Sequence, residues 1–262
     1  MYNSLNMKTV TQINTLKKAL NENKVQLGCW LTLCSATVAE ICANAGFDWL
    51  TVDTEHAPSD HDTVLRQLQA SSRFSTSPVV RVANNDMTQI KRVLDLGFLS
   101  LIVPNISDKN AALQAAKSSL YPPKGSRGVS ANSRANLFGS DQKYLENFNT
   151  ELLLITQIES KTGYDNIDRI CEVDAVDVLF IGPQDLAADF GHLGNPSHPN
   201  VKKIMKDIVK KTLSNKKIPG ILALNLDDAK YWIDQGVLLI SVASDQYLLS
   251  QQTKKILEFF KK

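Results

Sequence analysis

The chain is poor in cysteine, and the few it has build neither a metal knuckle nor a disulfide framework. Cys29, Cys34, Cys42 and Cys171 form no CxxC pair, and none of the 4 histidines stands at zinc-finger spacing from them. With no apolar signal core near the N-terminus, they read as buried or half-buried thiols of a cytoplasmic protein. No uninterrupted apolar stretch reaches the ~20 residues of a bilayer span, which argues against a membrane partner. Neither sign of charge dominates: 29 Lys and Arg stand against 27 Asp and Glu, a net +2. That balance gives no electrostatic reason to expect a nucleic-acid partner. The lysines between Lys254 and Lys262 alternate with Ile256, Leu257, Phe259 and Phe260, the pattern of a terminal amphipathic helix over about 245–260. Glycine-rich phosphate loops are also missing. No GxGxxG follows a strand and no Walker A sequence occurs. Lysine is scarce near the strand ends, with Lys161 the exception, which tilts against imine chemistry without excluding it.

What the chain does have is eight short apolar runs, at about 27–33, 49–54, 78–82, 100–104, 152–158, 177–181, 219–223 and 238–243. Continuous apolar runs of this length are the mark of strands buried on both faces, as in parallel sheets. Between most of them lie helical patterns, such as Val38 to Asn44, Asp62 to Ser72, Met87 to Leu96 and Asp108 to Ser118. Alternating strands and helices predict an α/β protein with a parallel sheet. Eight units predict closure into a (β/α)8 TIM barrel, with the open doubly wound sheet as the alternative. The 262 residues match one barrel of ~250, although length alone would also accommodate two smaller domains. The expected organisation is a single domain over 1–262, with a leading helix at 8–23, the barrel at about 25–250 and the terminal helix. Two insertions stand out. Tyr121 to Thr150 opens on Pro122-Pro123 and Gly125, punctuation that argues for a long loop and a lid. Asp189 to Asn200 carries Gly191, Gly194, Pro196 and Pro199. Both are expected on the catalytic face, after the fourth and sixth strands.

Several runs end in polar residues. Asp53 and Glu55 share one face of a strand, as do Gln157 and Glu159, because alternate residues point the same way. Adjacent strands lie under ~5 Å apart. Glu159 and Asp185, at the ends of the fifth and sixth, can therefore hold one hard divalent cation, with Mg²⁺ or Mn²⁺ favoured by oxygen ligation. The competing reading pairs Glu159 with an arginine and makes Asp185 a helix cap. His56 is a candidate general base or a residue that orders the Ala57-Pro58 turn. Arg81 closes an apolar strand, either to stabilise an oxyanion or to make a structural ion pair. Asp95 lies at a helix end where negative charge is unfavourable, which calls for a partner such as His56 or Arg81, or leaves it a turn residue. Arg127 and Arg134, in the long loop, either reach an anionic substrate tail or are solvated.

These segments together resemble the HpcH/HpaI aldolases, class II metal-dependent pyruvate aldolases of the 4-hydroxy-2-oxoheptanedioate and 2-dehydro-3-deoxyglucarate type. The likeness runs from Glu55-His56-Ala57-Pro58 through Pro78 to Val82, Tyr121-Pro122-Pro123 with Arg127-Gly128-Val129, Gln157-Ile158-Glu159 and Gly182-Pro183-Gln184-Asp185-Leu186. Gly194-Asn195-Pro196 and Pro219-Gly220-Ile221 extend it over about residues 25 to 250. The resemblance implies a TIM barrel whose C-terminal helix is exchanged between subunits, in a homo-oligomer that is a trimer or a dimer of trimers (a homohexamer). It implies that Glu159 and Asp185 hold Mg²⁺ or Mn²⁺, with Co²⁺ also possible, and that a keto acid and an aldehyde are the small-molecule partners. It implies an enolate-stabilising Arg81, a His56 oriented by Asp95 for proton transfer, a substrate contact from Gln157, and an Asp53 supporting the site from behind. One departure concerns acceptor specificity. Gln184 stands where many relatives have a small residue, and its amide is expected beside the bound keto acid or in the aldehyde region. Ser241 to Asp245 likewise replaces a more glycine-rich stretch. The implied activity is reversible cleavage of a 4-hydroxy-2-oxo acid to pyruvate and an aldehyde. Rival readings are a citramalyl-CoA or malyl-CoA lyase-like enzyme, for whose CoA phosphates the sequence offers no basic cluster, and a silent barrel that binds a keto acid.

Overall fold

The computed structural model describes residues 12–261. Eight parallel strands close into one barrel in sequence order. They are β1 (Gln26–Leu31), β2 (Trp49–Asp53), β3 (Ser77–Arg81), β4 (Ser100–Val103), β5 (Leu153–Ile158), β6 (Val178–Ile181), β7 (Ile218–Leu222) and β8 (Leu239–Ser244). Each lies within two residues of the run that announced it. The helices are α1 (Thr15–Asn21), α2 (Ala36–Asn44), α3 (His61–Ser71), α4 (Met87–Asp95), α5 (Lys109–Ser119), α6 (Tyr144–Glu151), α7 (Lys161–Asp165) and α8 (Ile167–Cys171). They continue with α9 (Pro183–Asp189), α10 (Pro199–Ser214), α11 (Leu226–Asp234) and α12 (Asp245–Phe260). Among the described residues no helix is long and apolar enough to cross a membrane.

Period-two alternation sorts each strand between two cores. Cys29, Leu50, Val52, Val80, Leu101, Leu154, Leu179 and Ile240 point outward and pack under the helices. Trp30, Trp49, Val79, Ile102, Ile155, Val178, Phe180 and Leu239 point inward and fill the barrel. Leu16 and Leu20 of α1 join this inner core and plug the end where the strands begin. Asn14 explains why α1 starts at Thr15. Its side chain caps the helix by accepting from the Lys17 N–H at 3.0 Å, and its amide donates to the Leu99 carbonyl at 2.9 Å. Of the expected leading helix 8–23, residues 8–11 lie outside the described residues.

Polarity rises along the barrel axis. The inward positions are apolar or small hydroxyls (Ser77, Ser100, Thr51) toward the plugged end and become the charged or amide side chains of Asp53, Arg81 and Gln157 at the strand C-termini, all of them buried. The functional side chains of TIM barrels sit at this face.

The long insertion is corrected on two counts. Residues 120–143 follow α5 and lead into β5, so they lie on the opposite face, where strands begin. They end in a regular helix, α6, whose Tyr144 and Phe148 recur at helical spacing and are both buried. The 190–198 stretch does follow β6 and α9, on the catalytic side.

Gly28 is required by a close approach. A Cβ there would lie 2.1 Å from the Trp49 indole, which is fully buried and cannot retreat. Gly28→Ala is expected to cost ~1–3 kcal/mol as overpacking, and to lower Tm by ~2–4 °C per kcal/mol. A melting curve unchanged from wild type would show that the indole has room to move.

Candidate active site

Arg81 is the centre of the rim. It ends β3 and is only 6% exposed. Register places Asp53 of β2 directly beside it. Arg81 Nε and Nη2 donate to the two Asp53 oxygens at 2.9 and 2.7 Å, a bidentate fork. Its Nη1 lies 2.8 Å from Glu55 Oε2 as an ion pair. The guanidinium also stands 5.0 Å over the Trp30 ring. A guanidinium carries five N–H donors. Asp53 takes two of them and Glu55 Oε2 accepts none, so three remain for an oxyanion, and the fork cannot rotate without breaking a buried pair.

The carboxylates respond in opposite directions. Burial pushes the Asp53 carboxyl up, but the Arg81 hydrogen bonds and charge, with the Glu55 N–H and Trp30, hold it below the usual range. Glu55 is raised, by burial first and then by Asp53 and Asp185, against the pull of Arg81 and His56. Glu159, at the end of β5, is raised to about 7, by burial first and further by Glu55 and Asp185. A backbone N–H opposes this. Asn105, held in the left-handed region at φ 55°, donates to Glu159 Oε1 at 2.8 Å. The Gln157 amide donates to Glu159 Oε2, while Gln157 Oε1 is buried without a hydrogen-bond partner.

Asp185 stands in the first turn of α9, exposed, with Gly182 as N-cap and Pro183 at the first helical position. The rim thus gathers Asp53, Glu55, Glu159 and Asp185 around one guanidinium. Among the described residues no group of three or more His, Cys, Asp or Glu is arranged as a metal cage. The donor set nevertheless fits a hard divalent cation. Two carboxylates and an orphaned amide oxygen supply oxygen ligands, and the surplus of negative charge calls for a cation.

The sequence expectations divide as follows. Asp53, Arg81, Gln157 and Glu159 come together as buried neighbours, with Asp185 beside them. His56 follows Glu55 at the same rim and is exposed. Gln184 is exposed too, so its amide suffers no burial penalty. Asp95 does not reach His56 or Arg81 within the chain. It ends α4 at the opposite face, 2.6 Å from Arg127 Nη2. Arg127 is neither solvated nor at the substrate face. It is 1% exposed between the Tyr121 and Phe148 rings, 4.5 and 4.4 Å from their centroids. Arg134 donates to the Leu96 carbonyl at 2.5 Å. Both arginines fasten the 120–143 segment to the end of α4. Sequence reading missed Asn105 and Trp30. An asparagine after a strand-ending proline favours the left-handed turn, and Trp30 shares the inward parity of its strand.

Two predictions follow from this geometry. A Cβ at Gly182 would lie 2.6 Å from Glu159 Oε2 and 2.9 Å from Gln157 Nε2. Gly182→Ala should therefore weaken Mn²⁺ binding by about tenfold or more, roughly 1.4 kcal/mol, with little change in melting temperature. Undiminished affinity in calorimetry would release Gly182 from this role. A carboxylate must also be ionised to hold a cation. With Glu159 raised to about 7, binding should release a proton, and affinity should fall roughly tenfold for each pH unit below that value. Constant affinity from pH 8 to 6 would contradict it.

Comparison with known proteins places the chain in a family. The model of the HpcH/HpaI aldolase/citrate lyase family matches residues 26–251. The chain is 42% identical over 249 residues to a 5-keto-4-deoxy-D-glucarate aldolase of Enterobacter sp. (strain 638), covering 95% of this chain and 97% of that protein. It is 43% identical over 249 residues, with the same shares covered, to a protein of the same name from Escherichia coli O6:H1. Among solved structures, an HpcH/HpaI aldolase/citrate lyase family protein from Burkholderia cenocepacia J2315 superposes with a TM-score of 0.92 at 36% identity, covering 95% of this chain and 100% of that one. The chain belongs to the HpcH/HpaI aldolase/citrate lyase family.

Proposed function

We propose that the chain is a divalent-metal-dependent aldolase, a carbon–carbon lyase that reversibly cleaves a 4-hydroxy-2-oxo acid to pyruvate and an aldehyde. The observation that carries this is the doubly paired Arg81 sharing a rim with Glu159 and Asp185. Glu159 and Asp185 would hold the cation, with Mg²⁺ or Mn²⁺ favoured and Co²⁺ a third candidate. When bound, the cation supplies Lewis-acid polarisation of the keto group.

The chain's own residues divide the rest of the work. Cleavage breaks the C3–C4 bond, removes the proton of the 4-hydroxyl and leaves an enolate at C2–C3. The free N–H groups of Arg81 stabilise that developing oxyanion, and Asp53 and Glu55 keep them aimed before charge appears. His56 takes the hydroxyl proton and then supplies one to C3, which yields pyruvate. The Gln157 amide meets the keto acid. Gln184, exposed on the outer turn of α9, contacts the aldehyde half. The 5-keto-4-deoxy-D-glucarate of the relatives' names is such an acid when counted from its keto end. A three-carbon acidic hydroxyaldehyde is then the second product.

The same reading includes assembly as a trimer or dimer of trimers through α12. Asp245 anchors that helix, accepting from the Thr32 and Leu33 N–H groups at 2.9 and 3.0 Å. Beyond Asp245 its apolar residues, Leu248, Leu249, Ile256, Leu257, Phe259 and Phe260, are all exposed. A stripe of that size on a soluble surface marks an interface, and a second copy can cover it by exchanging helices.

Pyruvate release from a panel of 4-hydroxy-2-oxo acids, coupled to lactate dehydrogenase, should require added Mg²⁺ or Mn²⁺ and stop with a chelator. Glu159→Ala and Asp185→Ala should abolish the metal-stimulated rate, and His56→Ala should slow cleavage by ~10²–10⁴-fold. Full activity in excess chelator, or wild-type rates in all three variants, would refute the assignment.

A further inference from the structure

A cleft of about 710 Å³ lies outside the barrel, between α7, the stretch after α9 and the face of α10 from Asn200 to Lys210. That volume lies within the ~300–1,000 Å³ of small-molecule sites. None of the rim carboxylates lines it.

One wall is basic. Lys203, Lys206 and Lys210 follow one another at spacings of three and four along α10, which puts them on one helix face. Among the described residues none of the three forms an ion pair, whereas their neighbours Lys202 and Lys211 are engaged with Asp228 and Asp207. The acidic groups nearby are Asp207 and Asp165. Asp207 accepts from the Tyr164 hydroxyl at 2.9 Å and lies 3.5 Å from Lys211 Nζ, so it is already paired. Asp165 lies close enough to Tyr164 to raise its hydroxyl, after burial and Asp207.

The other wall is aromatic. Tyr164 meets Phe190 edge to face at 5.9 Å. His192 stacks on His198 at 3.6 Å, nearly parallel, which fixes the imidazole that faces the cleft. A solvated lysine face needs no aromatic wall opposite it. Three unpaired ammonium groups across from fixed rings are complementary to a flat heterocycle joined to phosphates.

We propose that this cleft binds a nucleoside polyphosphate, with the phosphates on Lys203, Lys206 and Lys210 and the base against Phe190 and His192. The chemistry is shared by a free nucleotide and by the nucleotide end of coenzyme A. Such a cluster escapes a linear reading for CoA phosphates, because it is made by one helix face and shaped by residues from two other segments. The proposal does not rest on the aldolase reading.

The test is a fluorescence titration of the full chain with mant-ADP at about 50 mM salt, where surface charge is weakly screened. Saturable binding with Kd near or below ~10⁻⁴ M is expected, competed by ATP or CoA at least about tenfold more strongly than by inorganic pyrophosphate. The Lys206→Glu/Lys210→Glu variant should lose about tenfold or more in affinity with its melting temperature unchanged. Stronger competition by CoA than by ATP assigns the coenzyme as the source, and the reverse assigns the free nucleotide; both support the proposal. The absence of saturation by ~1 mM, competition by pyrophosphate equal to that by ATP, or full affinity in the folded double variant would overturn it.

Discussion

Arg81 is a buried cation, and a guanidinium stripped of water is tolerated only where carboxylates surround it. Asp53 supplies both of its oxygens and Glu55 a third contact, so the two strand ends β2 and β3 are locked in register by charge as well as by backbone hydrogen bonds. Removing one partner of such a pair leaves an uncompensated buried charge and costs ~3–5 kcal/mol. The barrel accepts that risk at its catalytic face; among the described residues the inner core below this layer holds apolar side chains and the small hydroxyls of Thr51, Ser77 and Ser100, with no charge. Trp30 forms the floor under the guanidinium and separates it from the plug made by α1.

The same constraint organises the carboxylates. Asp53 is neutralised by Arg81 and is lowered, while Glu159 has no such partner and is raised to about 7. Two acids on one rim, at the ends of β2 and β5, are thus driven apart, one fixed as an anion and the other poised to exchange a proton for a cation. Asn105 and Gln157 keep Glu159 oriented from both oxygens, so its orientation does not depend on a bound ion. The opposite face repeats the logic for structure alone. Arg127, between Tyr121 and Phe148 and paired with Asp95, ties down a segment that has no regular secondary structure until α6.

Much of the fold is legible in the sequence. The strands can be read because a buried parallel strand is an unbroken apolar run, and the candidate site residues stand out because Glu55-His56, Gln157-x-Glu159 and Gln184-Asp185 each follow such a run. Three features are hidden from such a reading. Whether residues 120–143 lie above or below the barrel depends on whether they follow a strand or a helix, and α5 carries the chain away from the catalytic face before they begin. The partner of Asp95 is Arg127 rather than His56 or Arg81 for the same reason: a helix that leaves the catalytic face ends at the other one. The exposure of Gln184 depends on the α9 turn and has no trace in composition or periodicity.

The central claim is that the rim of β2, β3, β5 and β6 stabilises a pyruvate enolate, and it is tested most directly without any acceptor. Proton NMR of pyruvate in D₂O should show the methyl signal decaying when protein and Mg²⁺ or Mn²⁺ are both present. The account predicts that a chelator stops the exchange. It also predicts that Arg81→Lys, which keeps the charge but loses the planar fork, removes most of it. Exchange that persists in chelator, or proceeds at the wild-type rate in a folded Arg81→Lys protein, would contradict it.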